Sequence, residues 1–231
     1  MPAYYLRIIL SGFLCCSLMA PIAVQASLQS RQKSFDAGQK HFDKAKALVE
    51  KGNTALAIVE YTKSIETDPS AVNSYLGLGE LYSKINEAQK AVEKLDVGIS
   101  MALLQEIIDP EIGRYCCLLA RNYQRLGKSD LASGALIKAQ KYLPDDPLPM
   151  FFLGEIQAER GKFKEAVRAF REALRLDSSN VECWQALGMV GLRGKLPDVA
   201  QEAYEGLMDI DPARAAQLET LIKSVAANRI R

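Results

Sequence analysis

Histidine is nearly missing from this chain: there is one, His41, among 231 residues. A lone imidazole with no second nucleophile or metal ligand near it in sequence builds neither a triad nor a histidine metal site. His41 is therefore expected to be a partly packed residue of a helix. There is no Cys-x-x-Cys, no acidic run with the spacing of a calcium loop, and no Asn-x-Ser/Thr sequon. The missing sequon argues mildly against a eukaryotic secreted protein. Gly127-Lys128-Ser129 ends like a phosphate-binding loop, but that motif's first glycine would fall on Asn122, and no strand precedes it. No enzyme activity, cofactor or metal is expected.

Excess charge of one sign is also missing: 29 basic residues face 28 acidic ones. Such a balance argues against a general nucleic-acid binder. An apolar run long enough to span a bilayer is missing too. The one candidate, Ile8–Met19, is short and is followed by Pro21. It lies behind Arg7 and ahead of Val24-Gln25-Ala26, the layout of a cleaved export signal. Residues 1–26 are expected to be a signal peptide, Ser27 the first mature residue, and 27–37 a lead-in. Cys15 follows Leu14, which does not suit a lipidated signal. A bacterial periplasm or cell envelope is the expected location. The alternative is a leader kept as an inner-membrane anchor, with the chain facing outward. Three cysteines remain after position 26 (Cys116, Cys117 and Cys183), too few and too scattered for a disulfide framework.

What is present is a repeat. Gly52, Gly127 and Gly161 each stand five residues before an alanine: Ala57, Ala132 and Ala166. Four residues after each alanine comes a large side chain (Tyr61, Leu136, Phe170), and seven after it a small one (Ser64, Ala139, Ala173). Two further blocks fit the frame through Gly79, Tyr82, Ala91 and Leu95, and through Trp184, Leu187, Gly188, Ala200, Tyr204 and Pro212. The blocks start at Gly38, Val72, Gly113, Pro147 and Val181, at spacings of 34, 41, 34 and 34. Each holds two helical apolar segments separated by a turn residue at Gly52, Asn86, Gly127, Gly161 or Gly194. The eighth place of each block is small (Ala45, Gly79, Ala120, Gly154, Gly188), which lets paired helices approach closely.

This pattern resembles the tetratricopeptide repeat (TPR) family over about residues 38–214. Tyr75-x2-Leu78-Gly79-x2-Tyr82 and Ala166-x3-Phe170 are the best single matches. The resemblance implies an all-α fold: a right-handed α-solenoid of five stacked helix–turn–helix repeats (38–71, 72–112, 113–146, 147–180 and 181–214) closed by a C-terminal capping helix and tail at 213–231. Leu218, Leu221, Ile222 and Val225 are the capping helix's expected core residues. The second block carries seven extra residues. They lie within Ile99–Ile108, which has no Gly or Pro and is expected to lengthen that repeat's second helix.

In the family the first helix of each repeat lines a concave face, with places 2, 5, 9, 12 and 13 exposed. Place 5 reads Phe42, Leu76, Cys117, Phe151 and Gln185 here, a largely apolar row expected to be open to water. The third block adds Arg114, Arg121, Gln124 and Arg125, and the fourth Glu155 and Glu159. The arginines are expected either to contact an acidic ligand or to pair with those glutamates. Phe42, Leu76, Arg114, Cys117, Arg121, Arg125, Phe151, Glu155 and Gln185 are thus the candidate partner-binding residues. Chaperone-tail binders in this family carry Lys at place 5 and Asn at place 9 of the first repeat. Here those places hold Phe42 and Lys46, so that role is not expected. The implied function is an exported scaffold that holds a partner peptide or helix in its concave groove and supports assembly of a cell-envelope complex. The alternative is a membrane-tethered assembly factor, or a regulatory subunit of an envelope enzyme.

Overall fold

The computed structural model describes the backbone of residues 3–228 and the side chains of residues 24–227. Among the described residues there are eleven helices and no strand, as the repeat pattern predicts. They are α1 (Ala3–Glu50), α2 (Thr54–Thr67), α3 (Val72–Lys84), α4 (Ala88–Leu104), α5 (Pro110–Arg125), α6 (Ser129–Tyr142), α7 (Leu148–Glu159), α8 (Phe163–Leu176), α9 (Val181–Arg193), α10 (Pro197–Met208) and α11 (Pro212–Asn228). The helix α1 runs without a break through the expected lead-in. The side chains of the apolar run Ile8–Met19, and of most of the expected leader, lie outside the described residues. No helix of the described residues is long and apolar enough to cross a membrane.

The turns follow from backbone sterics. Gly52 (φ 74°), Asn86 (64°), Gly127 (70°) and Gly161 (72°) take the left-handed conformation that ends a helix. In the fifth hairpin that role passes to Lys195 (φ 57°), not to Gly194 as expected. Gly194 is glycine for another reason: a Cβ there would stand 2.7 Å from the Cβ of Phe163.

The chain divides into two compact units, residues 1–78 and 79–231. In the first, α1 packs on α2 around Ala45, Ala57 and Tyr61. The buried Ser64 hydroxyl donates to the Gly38 carbonyl at 2.8 Å and lies 2.8 Å from the Ser74 hydroxyl. Gly77 meets the Tyr61 ring so closely that a Cβ would lie 2.7 Å from it. In the second unit α5 pairs with α6, α7 with α8 and α9 with α10, and each pair leads into the next through α6–α7, α8–α9 and α10–α11. The expected small residues are buried contact points. Ala91, Ala132, Ala166 and Ala200 are fully buried, and a Cβ at Gly79 or Gly154 would lie 2.6 Å from Leu95 or 2.7 Å from Phe170.

Two expectations need correction. Ile99–Ile108 is helical only to Leu104. Glu106 then turns left-handed (φ 53°), and residues 105–109 form a connection. Pro110 disfavours helix at the residue before it, and Asp109 instead caps α5 by accepting from the Glu111 amide at 2.8 Å. In α11, Leu218 is buried and Ile222 packs against the core, but Leu221 is 43 % exposed.

Candidate partner-binding groove

Asp109 and Pro110 fix where α5 starts, and that start fixes the phase of its surface. Arg114, Leu118, Arg121 and Arg125 then fall on one face at helical spacing. The end of α3 faces them with Glu80, Ser83 and Lys84. Two bonds hold the helices in register. Asn122, fully buried, donates to the Ser83 hydroxyl at 2.9 Å and to the Leu118 carbonyl at 2.8 Å. Arg125 donates to the Ser83 carbonyl at 3.1 Å, placing a cation where α3's dipole is negative. Between the helices lies an open groove of about 440 Å³, lined also by Glu111 and Tyr115.

The groove's charges are unequally committed. Lys84 pairs with Glu80 at 2.7 Å, and Arg125 is held by Ser83. Among the described residues, Arg114 and Arg121 have no carboxylate within ion-pair distance. Arg121 instead stands 5.4 Å over the Phe152 ring, a cation–π contact that steadies its guanidinium. Of the two readings of these arginines, the Arg121–Glu155 ion pair is not formed. Burial raises the Glu155 carboxyl above its ordinary range, and the Arg121 charge only partly offsets this.

Arg114, Arg121 and Arg125 thus line one groove, and the other candidates lie elsewhere. Cys117, expected on an open face, is 1 % exposed. Inner helices touch their neighbours directly, α5 with α7 and α7 with α9, and a short side chain at a close helix contact is covered. Burial pushes its thiol up to about 12. Leu76 is also 1 % exposed and belongs to the core, so no continuous apolar row is open to water. Phe42 is half-buried against Tyr61 at 5.8 Å, and Phe151 is half-buried against Phe170 at 5.8 Å. Gln185 is exposed and accepts from Arg214 of α11 at 3.2 Å. His41, expected to be merely packed, lies 2.7 Å from Glu60. Sequence reasoning missed Glu80, Ser83 and Lys84. They occupy places 9, 12 and 13 of the second block, so the rule that found the arginines would have found them too.

Comparison with known proteins agrees with this fold. Residues 117–181 and 157–215 match the family model described as tetratricopeptide repeat. No curated protein sequence matches the chain. Among solved structures, MamA is 19 % identical with a TM-score of 0.69, covering 78 % of this chain and 95 % of MamA. MamA from Desulfovibrio magneticus is 15 % identical with a TM-score of 0.68, covering 77 % of this chain and 97 % of its own. YrrB, described as a TPR protein with an unusual peptide-binding site, is 20 % identical with a TM-score of 0.65, covering 78 % and 90 %. None of these indicates a catalytic family. Residues 117–215 match the tetratricopeptide-repeat model, and the chain has the all-α helical-repeat fold of these solved structures.

Proposed function

We propose that this protein is an exported scaffold that binds a segment of a partner protein in the groove between α3 and α5, in support of a cell-envelope assembly. The observation that carries the reading is the groove itself: about 440 Å³, open, and kept in shape by the buried Asn122–Ser83 bond. A preformed trough costs little ordering on binding. The fold supports it as well, since YrrB, with the same repeat architecture, is described as binding peptide.

A photo-crosslinking side chain at Leu118 in the groove, compared with one at exposed Gln140 on α6, tests this in cells. One discrete partner adduct is expected from Leu118 and none from Gln140. Adducts from Gln140 alone would move the interface to the outer helices. Export rests on the small residues Val24 and Ala26 before Ser27. Mass spectrometry of protein recovered from the envelope should find Ser27 at the N-terminus. Finding Met1 there would favour the tethered alternative.

A further inference from the structure

The groove's geometry also selects a class of ligand. Building on the groove reading above, we infer that it takes an acidic peptide segment in extended, polyproline-like conformation, whose two carboxylates three residues apart are held by Arg114 and Arg121.

The sign comes first. Lys84 is answered by Glu80 and Arg125 by the Ser83 carbonyl, which leaves two guanidiniums facing the single carboxylate of Glu111. Glu111 sits in the first turn of α5, where the helix dipole already favours its charge. The ionisable groups nearest Arg121 from α7 are Glu155 and Glu159, and neither forms an ion pair with it. Arginine's planar fork suits carboxylates in particular.

The spacing comes next. Arg114 and Arg121 are seven residues apart on one helix, about 10.5 Å along its axis at ~1.5 Å per residue. A polyproline II segment turns every three residues at ~3.1 Å each, so side chains i and i+3 point the same way about 9.3 Å apart. A β-strand sends i and i+3 to opposite faces. A helical ligand would need seven residues to span the same distance. Leu118, half-buried, lies on the same face between the arginines, so the ligand residue between the acids should be apolar.

The test uses the full chain and two labelled peptides of equal composition. One has the core Asp-Ala-Leu-Asp and the other Asp-Asp-Ala-Leu, each between Gly-Ser flanks. Fluorescence anisotropy should show the first binding at least fivefold more tightly, with affinity falling as salt rises. Arg114→Gln and Arg121→Gln should each weaken it about tenfold. Both residues are exposed, so melting should not change. Equal affinity for the two peptides, no effect of either substitution, or tighter binding of single-stranded DNA would overturn the inference. The crosslink from Leu118 separates the two layers. If it persists while the peptides fail, the acidic specificity is wrong and the groove reading stands. If both fail, the groove reading falls as well.

Discussion

Gly134 sits in the middle of α6, and a Cβ there would meet nothing within 4 Å. Glycine in a helix interior costs about 0.5–1 kcal/mol relative to alanine. Gly134→Ala should therefore raise stability by about that amount. Gly154→Ala should instead lower it by about 1–3 kcal/mol, because the new methyl would press on the Phe170 ring. Denaturant midpoints of the two variants should move in opposite directions, and a shared sign would contradict the packing. Glu60 supports a pH prediction. His41 lies 2.7 Å from this buried carboxylate, Lys44 2.9 Å and Lys63 3.2 Å. The His41 bond first, then Lys44, holds its pKa at about 2 instead of 4.5. A carboxyl whose folded pKa is depressed stabilises the fold above its unfolded pKa, and that stabilisation is lost as pH falls. Stability should drop as pH goes from 4.5 towards 2. Glu60→Gln should flatten that part of the curve, and a curve unchanged by the substitution would count against the cluster.

At the scale of elements, the connection after α4 is the exposed stretch to watch. Leu104, the last residue of α4, is 84 % exposed, and Ile108, in the connection that follows, is 92 % exposed. A broad-specificity protease acting on the folded chain should cut first within residues 104–109. A first cut inside α5 or α6 would contradict the assignment. This stretch also marks where the sequence stops being readable. Apolar composition without Gly or Pro favours helix, and nothing in it announces the left-handed Glu106 just past the end of α4. The alanine frame at Ala57, Ala91, Ala132, Ala166 and Ala200 was legible because a small residue at a fixed phase has one packing meaning. Gly194 was not, because glycine serves both left-handed turns and close contacts, and sequence alone does not separate the two. Leu76 and Cys117 were misplaced for a related reason: place number gives a side chain's direction, and neighbouring helices decide its depth. The arginines of α5 were placed by the positions that the family resemblance assigns to the open face, and they are exposed because long charged side chains reach water from almost any surface position.

At the scale of the molecule, α4–α11 form a chain of neighbour contacts, and stability in such arrays is close to a sum of local and nearest-neighbour terms. Ala132 is fully buried at the α5–α6 contact, and Ala132→Leu should cost about 1–3 kcal/mol by overpacking. Hydrogen exchange should show protection lost first in α5 and α6, next in α4 and α7, and least in α10 and α11. A uniform loss would mean that the array opens as one cooperative block.

The buried thiols of Cys116, Cys117 and Cys183 have a kinetic consequence. Burial raises them to about 11, 12 and 12, so these three hold almost no thiolate at neutral pH while the helices stay packed. A thiol reagent reacts with the thiolate, so it must wait for the helices to part. In the form beginning at Ser27, the labelling rate should therefore level off with reagent concentration and equal the opening rate. Cys183 on α9 and the adjacent pair on α5 would then act as two clocks placed in different repeats. In an oxidising compartment the same delay would keep the three sulfurs reduced for as long as the fold stays shut.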